Sequence, residues 1–452
     1  MKPNVLFVLV DGLRGDQCYG TDKESNTPFL DSLINEGVYF DNTFSSADGT
    51  TISLNCLLNS KFQFETGIRA QKLLFQESNF IQILKKSGYH IYGISPNLTS
   101  LNPLREYFEN QNNSIKHTYP PESLPTGLTE RINQLLISKE KQEPWFCYFH
   151  IFDLHPLREG KIPKGIENFD NEKFGSSIYE RTVSAIDFWF GKILEHINLD
   201  NTILILTSDH GELIPFGGIR WLDLEPEFKS AVELGKNLLP NFSQKTGGEF
   251  LSKVRSWVGK KRLAKENEKL SNYQIRSRNP YFTLSLYDES IHVPLLFVGN
   301  SVKQRIVPEL VRHIDIFPTI CELMNIKFDK GSIHGRSFVN LLQGKPMEEK
   351  PVFLHTSPYE KPHPTDSVGI RTSKFKYFRS SHNSKENIHL YDLRNDPFEN
   401  ENIAQTNEQL ITRFEKMLID LQKDNLLDYN EEEISDEEIQ KISSELKRLG
   451  YM

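Results

Sequence analysis

Two stretches of the chain end in side chains that could work together. Asp209 and His210 follow an uninterrupted apolar run, Ile203 to Leu206, of the kind a strand shows when both faces of a parallel sheet are covered. A second such run, Val5 to Val10, ends in Asp11 and Gly12. At about 3.3 Å per residue, strands of this length span about 20 Å, enough to cross a sheet and deliver both acids to one edge. Open α/β sheets place their ligand crevices at that edge, beyond the carboxyl ends of the strands. Carboxylates beside an imidazole suit a divalent metal there, and Gly211 lets the backbone turn close to the site.

A third buried strand is expected over Phe146 to Ile151, followed by His150-Ile151-Phe152-Asp153-Leu154-His155-Pro156. Thr27 and Pro28 look like the N-cap and first residue of a helix with Phe29, Leu30, Leu33 and Ile34 on one face and Gly37 as its stop. Tyr179 to Ile197 has the spacing of an amphipathic helix. The 452 residues, 25% charged and 37% hydrophobic, suffice for a large α/β domain and a smaller unit. A net charge of -8 argues against a general nucleic-acid binder. No apolar run reaches the roughly 18 residues of a membrane span, and the run after Met1-Lys2-Pro3-Asn4 is too short for a signal-peptide core. The expectation is a soluble, cytoplasmic protein. Cys18, Cys56, Cys147 and Cys321 are scattered without the spacing of a zinc site or disulfide framework.

The order of motifs strongly resembles the sulfatase branch of the alkaline phosphatase superfamily. The resemblance runs from Pro3-Asn4 and the first strand through Thr27-Pro28-Phe29-Leu30-Asp31-Ser32-Leu33 and Gly37-Val38-Tyr39-Phe40. It continues with Tyr287-Asp288-Glu289-Ser290-Ile291-His292-Val293-Pro294, Asp315-Ile316-Phe317-Pro318-Thr319, Leu390-Tyr391-Asp392-Leu393, and Leu446 to Tyr451. It implies an α/β fold: a mostly parallel central sheet flanked by helices, then a smaller C-terminal antiparallel sheet. Alternating runs at Val368 to Arg371, Phe375 to Phe378 and Ile388 to Leu390 agree with the latter. The boundary is placed near Pro346 to Pro351, giving a catalytic domain over 1–346 and a C-terminal subdomain with a helical tail over 347–452. The acidic stretch Glu431 to Glu438 reads as a solvated helix face.

The chain also departs from that family. Sulfatases carry Cys-x-Pro-Ser-Arg before Ser-Leu-Leu-Thr-Gly, the cysteine becoming a formylglycine nucleophile. Laying Cys56-Leu57-Leu58 on Ser-Leu-Leu puts Thr50 at the nucleophile and Leu54 at the arginine. The family's Gly-Lys-Trp-His element is missing, since Gly88-Tyr89 leads to Ser95-Pro96-Asn97-Leu98, and no lysine stands just before Tyr287. Thr50 looks like the nucleophile of the phosphorus-handling relatives, the phosphodiesterases and the phosphoethanolamine and phosphoglycerol transferases, which also have Ser-Asp-His-Gly. This resemblance implies a metal held by Asp11, Thr50, Asp209 and His210. An imidazole in the set, and Gly12 where sulfatases often have a second acid, favour zinc or manganese over calcium or magnesium. A hydroxyl bound to a divalent cation becomes a competent nucleophile.

His155 matches the last histidine of the family's His-x-x-Asp-x-His-x-Pro element, which implies a general acid or anion contact. His150 reads as a core histidine. Asp153 and His155 could instead hold a second metal, with no clear third ligand, and His292 reads as packing. Residues 220–278 form an unusual insertion, with an apolar stripe of Phe250, Leu251, Val254, Trp257 and Val258 among lysines and arginines. A basic amphipathic helix there, between Gly247 and Lys265, can lie on an anionic membrane, cover the active site as a lid, or simply pack on the body. As a lid it would bring Arg276 and Arg278 to the substrate, beside Asn97 and His155. The leading expectation is a metal-dependent hydrolase or transferase of phosphate esters, small-molecule or linked to a glycan or lipid, working through a phospho-threonine. The alternatives are a sulfatase without formylglycine and a non-catalytic adaptor that keeps the fold. Survival of Asp11, Thr50, Asp209 and His210 together speaks against the adaptor.

Overall fold

β1 (Asn4–Val10) is buried along its whole length and lies between two parallel neighbours, β5 (Trp145–Ile151) and β6 (Thr202–Thr207). The computed structural model describes residues 2–66, 72–75, 79–115, 122–158, 161–214, 268, 270–277, 285–300, 302–356, 364–423 and 436–448. The other strands of this sheet are β2 (Val38–Phe44), β3 (His90–Pro96), β4 (Ser114–Ile115), β7 (His292–Val298), β8 (Arg305–Val307) and β9 (Val311–Arg312). Among the described residues the order is β4-β3-β5-β1-β6-β7-β2-β8, with β9 also on β2. All pairings are parallel except those of β7 with β6 and β2. β2 finds its partners only in β7, β8 and β9.

Side chains alternate along strands. Val5, Phe7 and Leu9 of β1, Phe146 and Tyr148 of β5, and Ile203 and Ile205 of β6 therefore share one face, and all lie in one apolar core. Asp11, His150 and Asp209 continue the same parity toward the carboxyl edge. Onto this face packs α2 (Thr50–Asn59), whose ten residues are all buried. Leu54, Leu57 and Leu58 of α2 join the sheet's core, each contributing about 2 kcal/mol by burial. Ile52 and Cys56, on its other side, join a second core with Phe353, Ile370 and Tyr377.

That second core belongs to an antiparallel sheet of β10 (Val352–His355), β11 (Ser367–Arg371), β12 (Phe375–Ser380) and β13 (His389–Asp392), paired in that order. The three expected alternating runs lie in or against its last three strands. The helix Glu408–Lys423 covers it with Phe414 and Leu418. His355 N–H donates to the Ser46 carbonyl at 2.9 Å, tying this sheet to the segment leading into Thr50. The fold is thus the mixed, mostly parallel sheet flanked by helices, with a smaller antiparallel sheet, that the resemblance implies.

α1 (Pro28–Glu36) starts where expected, but Thr27 makes no capping bond. Its first turn is capped by Asp187, whose carboxylate accepts from Phe29 N–H at 3.1 Å and Leu30 N–H at 2.7 Å. Asp187 comes from the helix Ile178–Leu194, which opens on a Ser177–Glu180 capping box and ends three residues before the expected Ile197. Both sheets lie in one compact unit, and Leu213–Tyr281 with Phe398–Glu401 make a second. Among the described residues of the second is the helix Asn272–Ser277. The helix expected between Gly247 and Lys265 lies outside the described residues. The acidic tail is helical from Asp436 to Arg448. No helix among the described residues is long and apolar enough to cross a membrane.

Candidate metal centre and nucleophile

The ends of β1, β5 and β6 are stitched together before they present any functional group. Asp11 N–H donates to the Ile151 carbonyl at 2.9 Å. Ser208 Oγ lies 2.6 Å from the Val10 carbonyl and 2.7 Å from that of His210, and accepts from Leu13 N–H at 2.9 Å. Tyr179 Oη donates to the Gly12 carbonyl at 2.6 Å and accepts from Arg14 N–H at 3.0 Å. Gly12 itself has φ +69°, which favours glycine. Gly211 is required by close approach: a Cβ there would stand 2.2 Å from the Glu289 carbonyl oxygen, and its N–H donates to the Ser290 carbonyl at 2.8 Å. The Asp-Glu-Ser segment is therefore the wall behind His210.

Within this frame Thr50, the first residue of α2, places Oγ1 3.0 Å from Asp11 Oδ1 and 3.3 Å from His210 Nε2. Asp11, Asp209 and His210 are buried and bring one donor atom each within 4.8 Å of one another, the only such group among the described residues. His210 Nδ1 lies 2.7 Å from the Gly211 carbonyl oxygen. That oxygen only accepts, so Nδ1 carries the hydrogen. The Nε2 lone pair then faces Asp209 Oδ2 at 3.6 Å and Asp11 Oδ1 at 4.0 Å. Asp209 Oδ1 accepts from Gly12 N–H at 3.2 Å and His210 N–H at 3.0 Å, whereas Oδ2 has no hydrogen-bond partner among the described residues. A lone pair and carboxylate oxygens facing one another in a buried site repel unless a cation lies between them. The donor set fits a divalent metal.

Asp11 also receives His155, whose Nδ1 is 3.3 Å from Oδ2 and whose ring stacks on Phe152 with centroids 4.0 Å apart. Burial alone would raise the Asp11 carboxyl, but the hydrogen bond from His155 and the charges of His155, His210 and His150 hold it well below the usual carboxylate range. Asp153, two residues earlier, turns away from this cluster and accepts from Leu124 N–H at 2.9 Å. No second three-donor group forms around it among the described residues. Behind Thr50, Ser53 Oγ lies 2.5 Å from the Asp209 carbonyl and 3.4 Å from His313 Nδ1. Burial lowers the His313 imidazole to about 3, keeping it neutral.

Thr50, Asp11, Asp209, His210 and His155 thus meet in one place. Asn97 is exposed just after β3, its N–H donating to the Ile115 carbonyl. Arg276 lies in the second unit and donates to the Phe398 and Glu399 carbonyls at 2.9 Å. Arg278 lies outside the described residues. His292 packs, stacked on Phe44 and bound to the Asp41 carbonyl. Two residues escaped the sequence reading. Glu212 comes within 3.9 Å of where a Gly12 side chain would begin, held by Arg158 Nε at 2.7 Å. His150 is as buried as a core histidine should be, yet its Nε2 lies 4.0 Å from Asp11 Oδ1. The parity of β5 with β1 is the signal that places it there.

A family model described as Sulfatase matches residues 3–326. The chain belongs to the sulfatase family. A second model, N-sulphoglucosamine sulphohydrolase C-terminal, matches residues 281–424, including the smaller sheet. Among curated sulfatases, the Ulvan-active sulfatase of Formosa agariphila is 22% identical over 89% of this chain and 77% of its own. Arylsulfatase K of Mus musculus is 30% identical, but that match spans only 27% of this chain and 24% of that protein. Among solved structures, a 2-O GAG sulfatase superposes with a TM-score of 0.66 at 17% identity, covering 96% of this chain and 95% of that one. The phosphonate monoester hydrolase of Agrobacterium radiobacter superposes with 0.65 at 16%, covering 94% and 96%. At such identities the likeness is one of fold. Within the sulfatase family this member is marked by Thr50 and by Leu54, which is fully buried in the core.

Proposed function

We propose that this sulfatase-family protein is a metal-dependent hydrolase or transferase of phosphate esters that passes the phosphoryl group through Thr50. The observation that carries the proposal is the Thr50 hydroxyl, fixed 3.0 Å from Asp11 Oδ1 and 3.3 Å from His210 Nε2 at the start of a fully buried helix. Asp11, Asp209, His210 and Thr50 would hold the ion, and the imidazole favours zinc or manganese. A divalent ion there would lower the pKa of the hydroxyl and neutralise phosphoryl oxygens.

The chain's own residues do the rest. Asp11 Oδ1 accepts the Thr50 hydrogen and aims Oγ1 at phosphorus. As the Oγ1–P bond forms and the bond to the departing ester oxygen breaks, His155 donates a proton from Nε2 to that oxygen, its Nδ1 anchored on Asp11 Oδ2. A water or alcohol then attacks the phosphothreonine, gives its proton to His155 and restores the threonine. Gly49 offers no side chain to cap α2, so the phosphoryl group on Thr50 meets the positive end of the helix. Leu54, packed in the core, leaves no cation in α2 at the position of the sulfatase arginine, which supports a phosphorus substrate over a sulfate ester. The substrate class we propose is a phosphate ester of a small molecule, a glycan or a lipid.

The test assays phosphate mono- and diesters and sulfate esters with zinc, manganese, magnesium and calcium. Acid quenching during turnover should leave a phosphoryl adduct on the peptide containing Thr50. Thr50→Ser should keep much of the rate, and Thr50→Ala should lose roughly three orders of magnitude or more, as nucleophile and activating groups act as a unit. An adduct elsewhere, a wild-type rate in Thr50→Ala, or turnover of sulfate esters alone would refute the proposal.

A further inference from the structure

We propose that His150 is a positioning residue for the metal centre, holding Asp11 Oδ1 in its ligating direction. This rests on the reading of Asp11, Asp209, His210 and Thr50 as a metal site. The register of β5 on β1 sets His150 beside Leu9, on the face from which Asp11 projects. The residue is 1% exposed, and Nε2 has no hydrogen-bond partner among the described residues. Its nearest ionic neighbour is Asp11 Oδ1 at 4.0 Å, while Nδ1 lies 3.3 Å from Tyr148 Oη.

A lone pair aimed at a carboxylate is the unfavourable tautomer. The phenol of Tyr148 can donate to Nδ1, which leaves the hydrogen on Nε2, pointing at Asp11. The two oxygens of Asp11 are then divided: His155 Nδ1 serves Oδ2 at 3.3 Å, and His150 serves Oδ1 beside Thr50. The 4.0 Å separation exceeds a hydrogen bond, and a side-chain movement of about 1 Å closes it. His150 stands outside the group whose donor atoms lie within 4.8 Å of one another, so it is assigned to holding a ligand rather than ligating. Such partners of a ligating carboxylate are worth about 10- to 100-fold in metal affinity.

The experiment is a competition titration of zinc and manganese against a chelator, with the melting temperature of the metal-free protein as the fold control. Wild type should bind the metal and Asp209→Ala should not. His150→Leu should bind about 10- to 100-fold more weakly while melting, metal-free, no lower than wild type. His150→Gln keeps an N–H near Nε2 and should stay within about threefold of wild type. If the leucine variant does not fold, His150→Asn, polar but too short to reach Asp11, should show the same weakening. Unchanged affinity in the leucine or asparagine variant would reduce His150 to packing and overturn the proposal while leaving the metal site intact. A glutamine variant as weak as the leucine one would overturn it in favour of direct ligation. Absence of metal binding in wild type would remove the reading of the site itself.

Discussion

Removing the charge from Asp153 should stabilise the protein at alkaline pH and do little in acid. The side chain is 4% exposed. Its Oδ1 accepts from Leu124 N–H at 2.9 Å, and its Oδ2 has no hydrogen-bond partner among the described residues. Burial raises the carboxyl from 3.8 to about 7, outweighing the lowering by the Leu124 N–H. Below 3.8 the group is protonated in both folded and unfolded chains and costs nothing. Between that value and about 7 the unfolded chain releases its proton while the folded one keeps it, so stability falls as pH rises. Above the folded value the loss is complete. At about 1.4 kcal/mol per decade it amounts to on the order of 4 kcal/mol. Asp153→Asn keeps the acceptor for Leu124 and cannot ionise. Melting temperatures of both proteins, taken with chelator from about pH 5 to about pH 8.5, isolate this term, because every other titrating group cancels in the difference. The variant's advantage should grow through that range to several degrees. A difference that is constant with pH, or that shrinks as pH rises, would refute the reasoning.

Gly211→Ala should cost several kcal/mol and weaken metal binding. The new Cβ would lie 2.2 Å from a backbone carbonyl oxygen of the Glu289 segment, and any shift that relieves the clash displaces His210. Thermal melts and a chelator titration read both effects, and a wild-type melt would refute it. Leu54→Arg should destabilise by more than about 4 kcal/mol, since it buries an unpaired charge at a fully buried position of α2. Soluble yield and melting temperature report it. A well-folded Leu54→Arg with sulfatase activity would show that the core is more permissive than its packing implies.

The metal cluster was legible because its members end apolar runs, and a run of strand length can only deliver its last residue to the sheet's edge. Asp11, Asp209 and His210 follow from that rule, and Thr50 and His155 from family resemblance. His150 was not legible as part of the site, because burial and function predict the same surroundings in a wholly apolar strand. Only the register with β1 shows which face it takes. The capping of α1 by Asp187 was hidden for a related reason. Thr27 has the right chemistry at the right position, but a carboxylate from a neighbouring helix satisfies the same N–H groups. Glu212 beside Gly12, and His313 behind Ser53, depend on contacts between segments far apart in sequence, which no local pattern encodes.

The pairing of β2 bears on how the protein is made. β2 leads into the helix that carries Thr50, and its sheet partners are β7, β8 and β9, which begin at His292, Arg305 and Val311. A growing chain folds from its N-terminal end as it leaves the ribosome. β1, β5 and β6 can assemble on that schedule, with Asp11 and Asp209 side by side, while β2 still waits for a strand to join. A chain interrupted after β6 would own Asp11, Thr50, Asp209 and His210 and yet have no sheet to hold its nucleophile. Reactivity toward esters is thereby withheld from the nascent polypeptide until nearly the whole of the larger sheet has been synthesised.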